Sequence, residues 1–291
     1  MSSAGASARR VQDRIRSYGR ERAVVALSGG VDSSTVLALA AAALGPHAVA
    51  AITAVSPSLP SGELEAAGAV VTTVGVEHRT VPTFEVDREA YARNDAMRCF
   101  HCKTELYVTL NRVAEEDRKA VVLAGANADD AGDFRPGLMA ASRHRVRNPL
   151  LEVGVGKAEV RAIARSLGLP VADKPALACL SSRVAYGIPI TPDLLARIDR
   201  AEQQVRAMGF DQVRVRHLGE EASIEVPAER VTSLQGHPLL DQLAASLRTM
   251  GWATVTVDPD GYRMGSMNAT LTTLELRPPA WWARNPQPAK G

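Results

Sequence analysis

Residues 23–34 read Ala23-Val24-Val25-Ala26-Leu27-Ser28-Gly29-Gly30-Val31-Asp32-Ser33-Ser34. Ala23 to Leu27 is a short apolar run that ends in small residues, and residues 34–44 continue as an alanine-rich helical stretch. The unit reads as strand, loop, helix. Two adjacent glycines let the loop turn tightly and bring backbone N–H groups close to an anion. The helix N-terminus adds further donors and a favourable dipole. Ser28, Ser33 and Ser34 supply hydroxyls around Val31 and Asp32. Asp32 repels bare phosphate, so it is expected to act through Mg²⁺ or by ordering the loop. The Gly-Lys-Ser/Thr ending of a Walker loop and the Gly-x-Gly-x-x-Gly dinucleotide fingerprint are both absent.

Outward from this unit, residues 11–20 read as an amphipathic helix. Val49–Val55 is the next apolar run, closed by Ser56-Pro57-Ser58-Leu59-Pro60. Residues 63–70 read as a helix, 79–86 and 121–124 as strands, and 157–167 as a helix stopped at Gly168. Alternating strands and helices predict an α/β domain with a parallel sheet over residues 1–175. Helices at 192–208 and 238–250 then mix with strands at 212–216, 223–226, Thr254–Val257 and 270–276. That order predicts a smaller α+β domain over residues 176–277, with 278–291 a loose tail.

Hydrophobic residues make up 46% of the 291-residue chain and aromatics only 4%, so its cores must be built from aliphatic side chains. A net charge of +2 argues against a dedicated nucleic-acid binder. Lysine is confined to Lys103, Lys119, Lys157, Lys174 and Lys290 among many arginines. No stretch approaches the roughly 18 apolar residues of a membrane span. The first residues lack the apolar core of a secretory signal, so a cytoplasmic location is expected.

The cysteines are Cys99, Cys102 and Cys179. Three thiols in a reducing compartment cannot all pair, which points to metal or redox chemistry. Arg98-Cys99-Phe100-His101-Cys102-Lys103 holds a Cys-x-x-Cys pair, which fits half a zinc site, a redox dithiol or part of an iron–sulfur site. A closed zinc site needs four ligands, and His101 lies too close to Cys102 for joint chelation. Three thiolates suit a 4Fe-4S cluster with one iron free of protein ligands. The alternative is a small buried Cys179 and a chance pair.

Ser28 to Ser33 resembles the PP-loop of the adenine nucleotide alpha-hydrolase-like ATP pyrophosphatases, which cleave ATP between its alpha and beta phosphates to adenylate an oxygen. Residues 174–191 (KPALACLSSRVAYGIPIT), 125–137 (GANADDAGDFRPG) and 213–226 (VRVRHLGEEASIEV) further resemble LarE, the sulfur-transferase family of nickel-pincer cofactor synthesis. The resemblance covers most of residues 10–275. It implies a pyridinium dicarboxylate mononucleotide as small-molecule substrate, adenylated on each carboxylate and attacked by sulfur. It places Cys179 at the sulfur-donor position, where one branch sacrifices that cysteine and another joins it to a Cys-x-x-Cys pair around a 4Fe-4S cluster. This composition favours the cluster branch. The resemblance also implies a homo-oligomer, trimer or hexamer.

Arg214 and Arg216 alternate along one predicted strand and so share a face, where they could clamp a phosphate. By resemblance they are the substrate-phosphate arginines, with Arg183 and Arg263 as weaker candidates for the same anion. Glu202 resembles an active-site acid, the alternative being an exposed helical glutamate. Gly125, Asn127 and Asp129 lie with Asp130 and Arg135 in the loop after a predicted strand, where α/β sheets place ligand contacts; Asp129 is a candidate for Mg²⁺, the alternative being simple loop capping by Asn or Asp. Two other readings remain open: a tRNA thiolase with the same loop and cluster, and a synthetase or nucleotide-binding module with incidental cysteines.

Overall fold

The computed structural model describes residues 3–117, 119–132, 135–175, 178–263 and 267. Strands β1 (Ala23–Ala26), β2 (Val49–Val55), β3 (Glu77–Pro82) and β4 (Val121–Leu123) form an all-parallel sheet in the order β3-β2-β1-β4. Strands β5 (Arg214–His217), β6 (Glu221–Glu225) and β7 (Thr254–Val257) form a second sheet, antiparallel across β5–β6 and parallel across β6–β7. The helices are α1 (Ser3–Arg16), α2 (Val31–Leu44), α3 (Glu63–Val74), α4 (Glu89–Ala92), α5 (Arg98–Glu116), α6 (Pro136–Arg143), α7 (Pro149–Glu152) and α8 (Lys157–Ser166). They are followed by α9 (Pro192–Ala207), α10 (Val231–Gln235) and α11 (Leu240–Thr249). This is the expected α/β architecture, with the smaller mixed sheet after it.

Successive side chains of a strand point to opposite faces, and β1 divides accordingly. Ala23 and Val25 join a core with Val11 and Ile15 of α1, Leu37 of α2, and Val160 and Ile163 of α8. Val24 faces the other way, against Phe100, Tyr107 and Leu110 of α5 and Met139 of α6. The small sheet packs around a third core that includes Leu195 and Ile198 of α9, Leu247 of α11, and Trp252. No helix among the described residues is long and apolar enough to cross a membrane.

Several boundaries differ from expectation for local reasons. The first helix occupies Ser3–Arg16 rather than 11–20, because Ser7, Val11 and Ile15 recur every fourth residue on its buried face and Gly19 turns left-handed at φ 64°. The stretch 238–250 begins as a helix only at Leu240, after a turn in which Leu240 N–H donates to the His237 carbonyl. Strand β5 runs to His217, which a bridge to Val184 holds in place. The strand expected at 270–276 and the tail lie outside the described residues.

Candidate active site

The chain runs β1, β2, β3 in one direction and then returns to place β4 on the far side of β1. Ligands of open α/β sheets bind at such a reversal, beyond the carboxyl ends of the strands. The loop after β1 is Ser28–Gly30 and the loop after β4 begins at Gly125, so both expected nucleotide segments meet there. Gly125 is required sterically: a Cβ would lie 2.6 Å from the Ser33 backbone nitrogen. Gly29 turns at φ 74°, and its Cβ would meet the Glu63 carbonyl at 2.8 Å.

Inside the loop, the Ser28 N–H and hydroxyl lie 3.2 and 3.1 Å from Ser33 Oγ. The Ser33 and Ser34 hydroxyls both reach the Gly30 carbonyl. Asp32 orders the loop: Asn127 Nδ2 donates to its Oδ1 at 3.1 Å, and Lys157 Nζ pairs with its Oδ2 at 2.5 Å. Asp129 accepts from the Lys157 N–H at 2.8 Å and so caps α8. Lys174 Nζ bonds the Gly29 carbonyl at 3.3 Å and Glu63 at 2.8 Å. Arg161 steadies that approach through the Ala172 and Lys174 carbonyls. The loop thus gathers two cations that local sequence did not point to. Their rarity in an arginine-rich chain was the available signal.

The thiols form a second neighbourhood. Cys99 and Cys102, three residues apart near the N-terminus of α5, fall on one helix face. Cys99 is exposed, and Cys102 and Cys179 are half-buried. Burial pushes the Cys102 thiol up; Lys103 opposes this, while Cys179, Glu85 and Cys99 add to it. Cys102 is thus within electrostatic reach of both Cys99 and Cys179. Among the described residues no three His, Cys, Asp or Glu side chains converge to hold a metal ion. A 4Fe-4S cluster spreads its thiolates over separate irons and needs no such convergence on one ion.

The turn carrying Cys179 is gripped from several sides. Arg183 Nη1 binds the Ala178 and Cys179 carbonyls at 2.5 and 2.9 Å. Ser58 accepts the Leu180 N–H, and the Tyr91 hydroxyl meets Ser181 Oγ at 2.5 Å. Arg98 Nη1 reaches the Ser181 carbonyl at 2.9 Å. Asn94, in the left-handed region at φ 57°, donates through Nδ2 to the Ala185 and Ile188 carbonyls. Tyr91, Asn94 and Arg98 were not found by sequence reasoning, because only folding brings them to residues about ninety positions away.

Two expectations need correction. Arg183 is fully buried, and its Nε and Nη2 form a fork on Glu202 while Nη1 holds the Cys179 turn. None of its nitrogens remains for a substrate phosphate. Glu202 is neither an exposed helical glutamate nor placed as a free acid: it is equally buried, pairs also with Arg206, and accepts the Val215 N–H. The pair positions Cys179. Arg214 and Arg216 do lie together on β5, where both are buried. Arg216 pairs with Glu225 at 2.7 Å and reaches the Ser182 carbonyl. Arg214 packs on the Tyr262 ring, and burial together with Arg183 lowers its pKa to about 10, so it stays charged at neutral pH. Arg263 is exposed and pairs with Asp258 and Asp260.

Comparison with known proteins agrees with this geometry. The NAD synthase family model matches residues 5–120. An uncharacterised protein of Synechocystis is 44% identical over 252 residues, covering 87% of this chain and 94% of that protein. The pyridinium-3,5-bisthiocarboxylic acid mononucleotide synthase of Lactiplantibacillus plantarum is 35% identical over 258 residues, covering 88% and 92%. A tRNA-specific 2-thiouridylase of Xanthobacter autotrophicus is 29% identical over 194 residues, covering 53% and 49%.

Proposed function

This chain belongs to the LarE family of pyridinium-3,5-bisthiocarboxylic acid mononucleotide synthases, ATP-using PP-loop sulfurtransferases, and on that premise we propose that it adenylates the carboxylates of pyridinium-3,5-dicarboxylate mononucleotide and turns them into thiocarboxylates for nickel-pincer cofactor synthesis. One observation carries the reading. Cys179 sits on a segment whose Lys174 touches the nucleotide loop and whose Arg183 closes on Cys179 beside the Arg214–Arg216 strand. In this reading, a sulfur at that point would pass from the loop assigned to the triphosphate to the strand assigned to the acceptor's phosphate.

In the first step a substrate carboxylate oxygen attacks the alpha phosphorus of ATP, and pyrophosphate leaves with the bonding electrons. The Ser28–Ser34 donors hold the phosphates, with Lys157 and Lys174 close by. Mg²⁺ takes most of its ligands from phosphate and water, and Asp129 is the carboxylate proposed to face it. In the second step hydrosulfide attacks the acyl carbon, the carbon–oxygen bond to AMP breaks, and the sulfur proton passes to solvent. Arg214 and Arg216 anchor the substrate phosphate. A 4Fe-4S cluster would be held by Cys99, Cys102 and Cys179 and would supply an iron without a protein ligand at which inorganic sulfide is retained. In the sacrificial alternative, Cys179 Sγ forms the thioester itself. Loss of the Cα proton then breaks the Cβ–S bond, leaving dehydroalanine and the thiocarboxylate. A homo-oligomer is part of the same proposal.

The test incubates purified protein with ATP, sulfide and the dicarboxylate mononucleotide, and follows AMP and thiocarboxylate by mass spectrometry. Cys179→Ala is expected to abolish thiocarboxylate while ATP binding stays measurable. Thiolation of tRNA in place of the mononucleotide would overturn the reading.

A further inference from the structure

Arg98 is 5% exposed, and its charge has no carboxylate partner among the described residues. Nη1 donates to Asn94 Oδ1 at 2.5 Å and to the Ser181 carbonyl at 2.9 Å, and the guanidinium stacks 5.3 Å from the Tyr186 ring. Each partner is neutral. Nε is buried with no hydrogen-bond partner at all. An unmatched buried cation is costly, commonly by several kcal/mol after relaxation, and a buried donor without an acceptor adds to that. Such a group persists where an anion completes it.

The surroundings indicate which anion. Arg98 directly precedes Cys99, and the Ser181 carbonyl it holds lies two residues beyond Cys179. Arg98 is also the first residue of the 19-residue α5, at the positive pole of that helix. Lys103 stands further along α5, half-buried against the Tyr107 ring, again with no ion pair among the described residues. Glu85, a carboxylate that acts electrostatically on Cys102 and Tyr91, accepts through Oε1 from the Ser56 and Ser58 hydroxyls.

We propose that Arg98 is a positioning residue for sulfur delivery: through the Ser181 carbonyl it fixes the Cys179 turn, and its unpaired guanidinium edge attracts the hydrosulfide-sized anion that arrives beside Cys99 and Cys179. The proposal rests on the sulfur-transfer reading above. It assigns the selectivity of the thiol pocket for small monoanions to this chain rather than to any bound group.

The metal-free protein provides the test. Alkylation of Cys179 by iodoacetate and by iodoacetamide is timed by peptide mass spectrometry, and the ratio of the two rates is taken. Both reagents consume the same thiolate, so ionisation cancels and the ratio reports attraction for an anion. One charge-assisted hydrogen bond is worth about tenfold, so the native ratio should exceed that of the urea-unfolded chain by about 10-fold. Arg98→Gln should lose this preference and Arg98→Lys should restore most of it. A native ratio equal to the unfolded one overturns the proposal without reliance on any variant, as does an unchanged ratio in folded Arg98→Gln. Failure of the wild-type protein to form thiocarboxylate would sink the sulfur-transfer reading alone, because the alkylation ratio needs no turnover.

Discussion

Glu202→Gln distinguishes a chemical acid from a structural counterion. Both side chains of the Arg183–Glu202 pair are completely buried, and the carboxylate accepts from Arg183 at 2.8 and 3.2 Å, from Arg206 at 2.8 Å and from the Val215 N–H at 3.2 Å. Removing one partner of such a pair strands the other charge and costs about 3–5 kcal/mol. Glutamine keeps one acceptor oxygen, which places this variant near about 3 kcal/mol. At about 2–4 °C per kcal/mol for a chain approaching this size, Tm should fall by about 6–12 °C. Arg183 would then hold the Ala178 and Cys179 carbonyls less firmly. A displacement of about 1 Å at a reacting atom costs about 100-fold in rate, so thiocarboxylate formation should fall about that much while ATP binding is kept. Thermal unfolding by circular dichroism and a quenched-flow thiocarboxylate assay supply the two numbers. A Tm within about 1 °C of wild type with a collapsed rate would refute the counterion argument and return Glu202 to the role of acid. The paired replacement Arg183→Met with Glu202→Leu should recover much of the stability, because apolar isosteres often substitute for a buried ion pair, and none of the sulfur transfer.

Two further outcomes follow from local geometry. Gly125→Ala places a methyl group 2.6 Å from the Ser33 nitrogen, so helix α2 and its loop must separate; a loss of about 1–3 kcal/mol and a weakened ATP affinity are expected by calorimetry. His217 Nδ1 accepts from Trp252 Nε1 at 2.9 Å, and burial followed by Arg197 lowers its pKa below the usual 6.5. The unfolded chain then binds the extra proton first, so this stabilisation is complete above about pH 6.5 and is lost as pH falls through the folded pKa. Tm measured from pH 7 down to pH 5 should decline less steeply in His217→Gln than in wild type; parallel curves would contradict the assignment.

Much of the fold was legible because it depends on local patterning. The run Val49–Val55 is both the expected and the observed strand, and Gly168 and Gly209 end their helices with φ 66° and 90°. Elements whose limits depend on distant partners were harder to place: β5 is pinned by Val184 and Trp252 packs on His217. The candidate site divides in the same way. Ser28 to Ser34 form the loop expected from their own order. Lys157 and Lys174 reach that loop from 125 and 145 residues away, and periodicity carries no trace of such a meeting. Arg183 looked available as an isolated residue, yet burial against Glu202 fixes its use.

The sequence by itself determined the nucleotide loop, because two glycines after a strand and before a helix impose a turn that owes little to the rest of the chain. It also determined which atoms could carry sulfur, since only three residues are cysteines. Tertiary structure alone decided which charges remain available. Arg183 and Glu202 neutralise each other away from water, while Arg98 is buried without a counterion among the described residues. In low-dielectric surroundings that difference is worth several kcal/mol, and it follows from which side chains meet, not from their order along the chain.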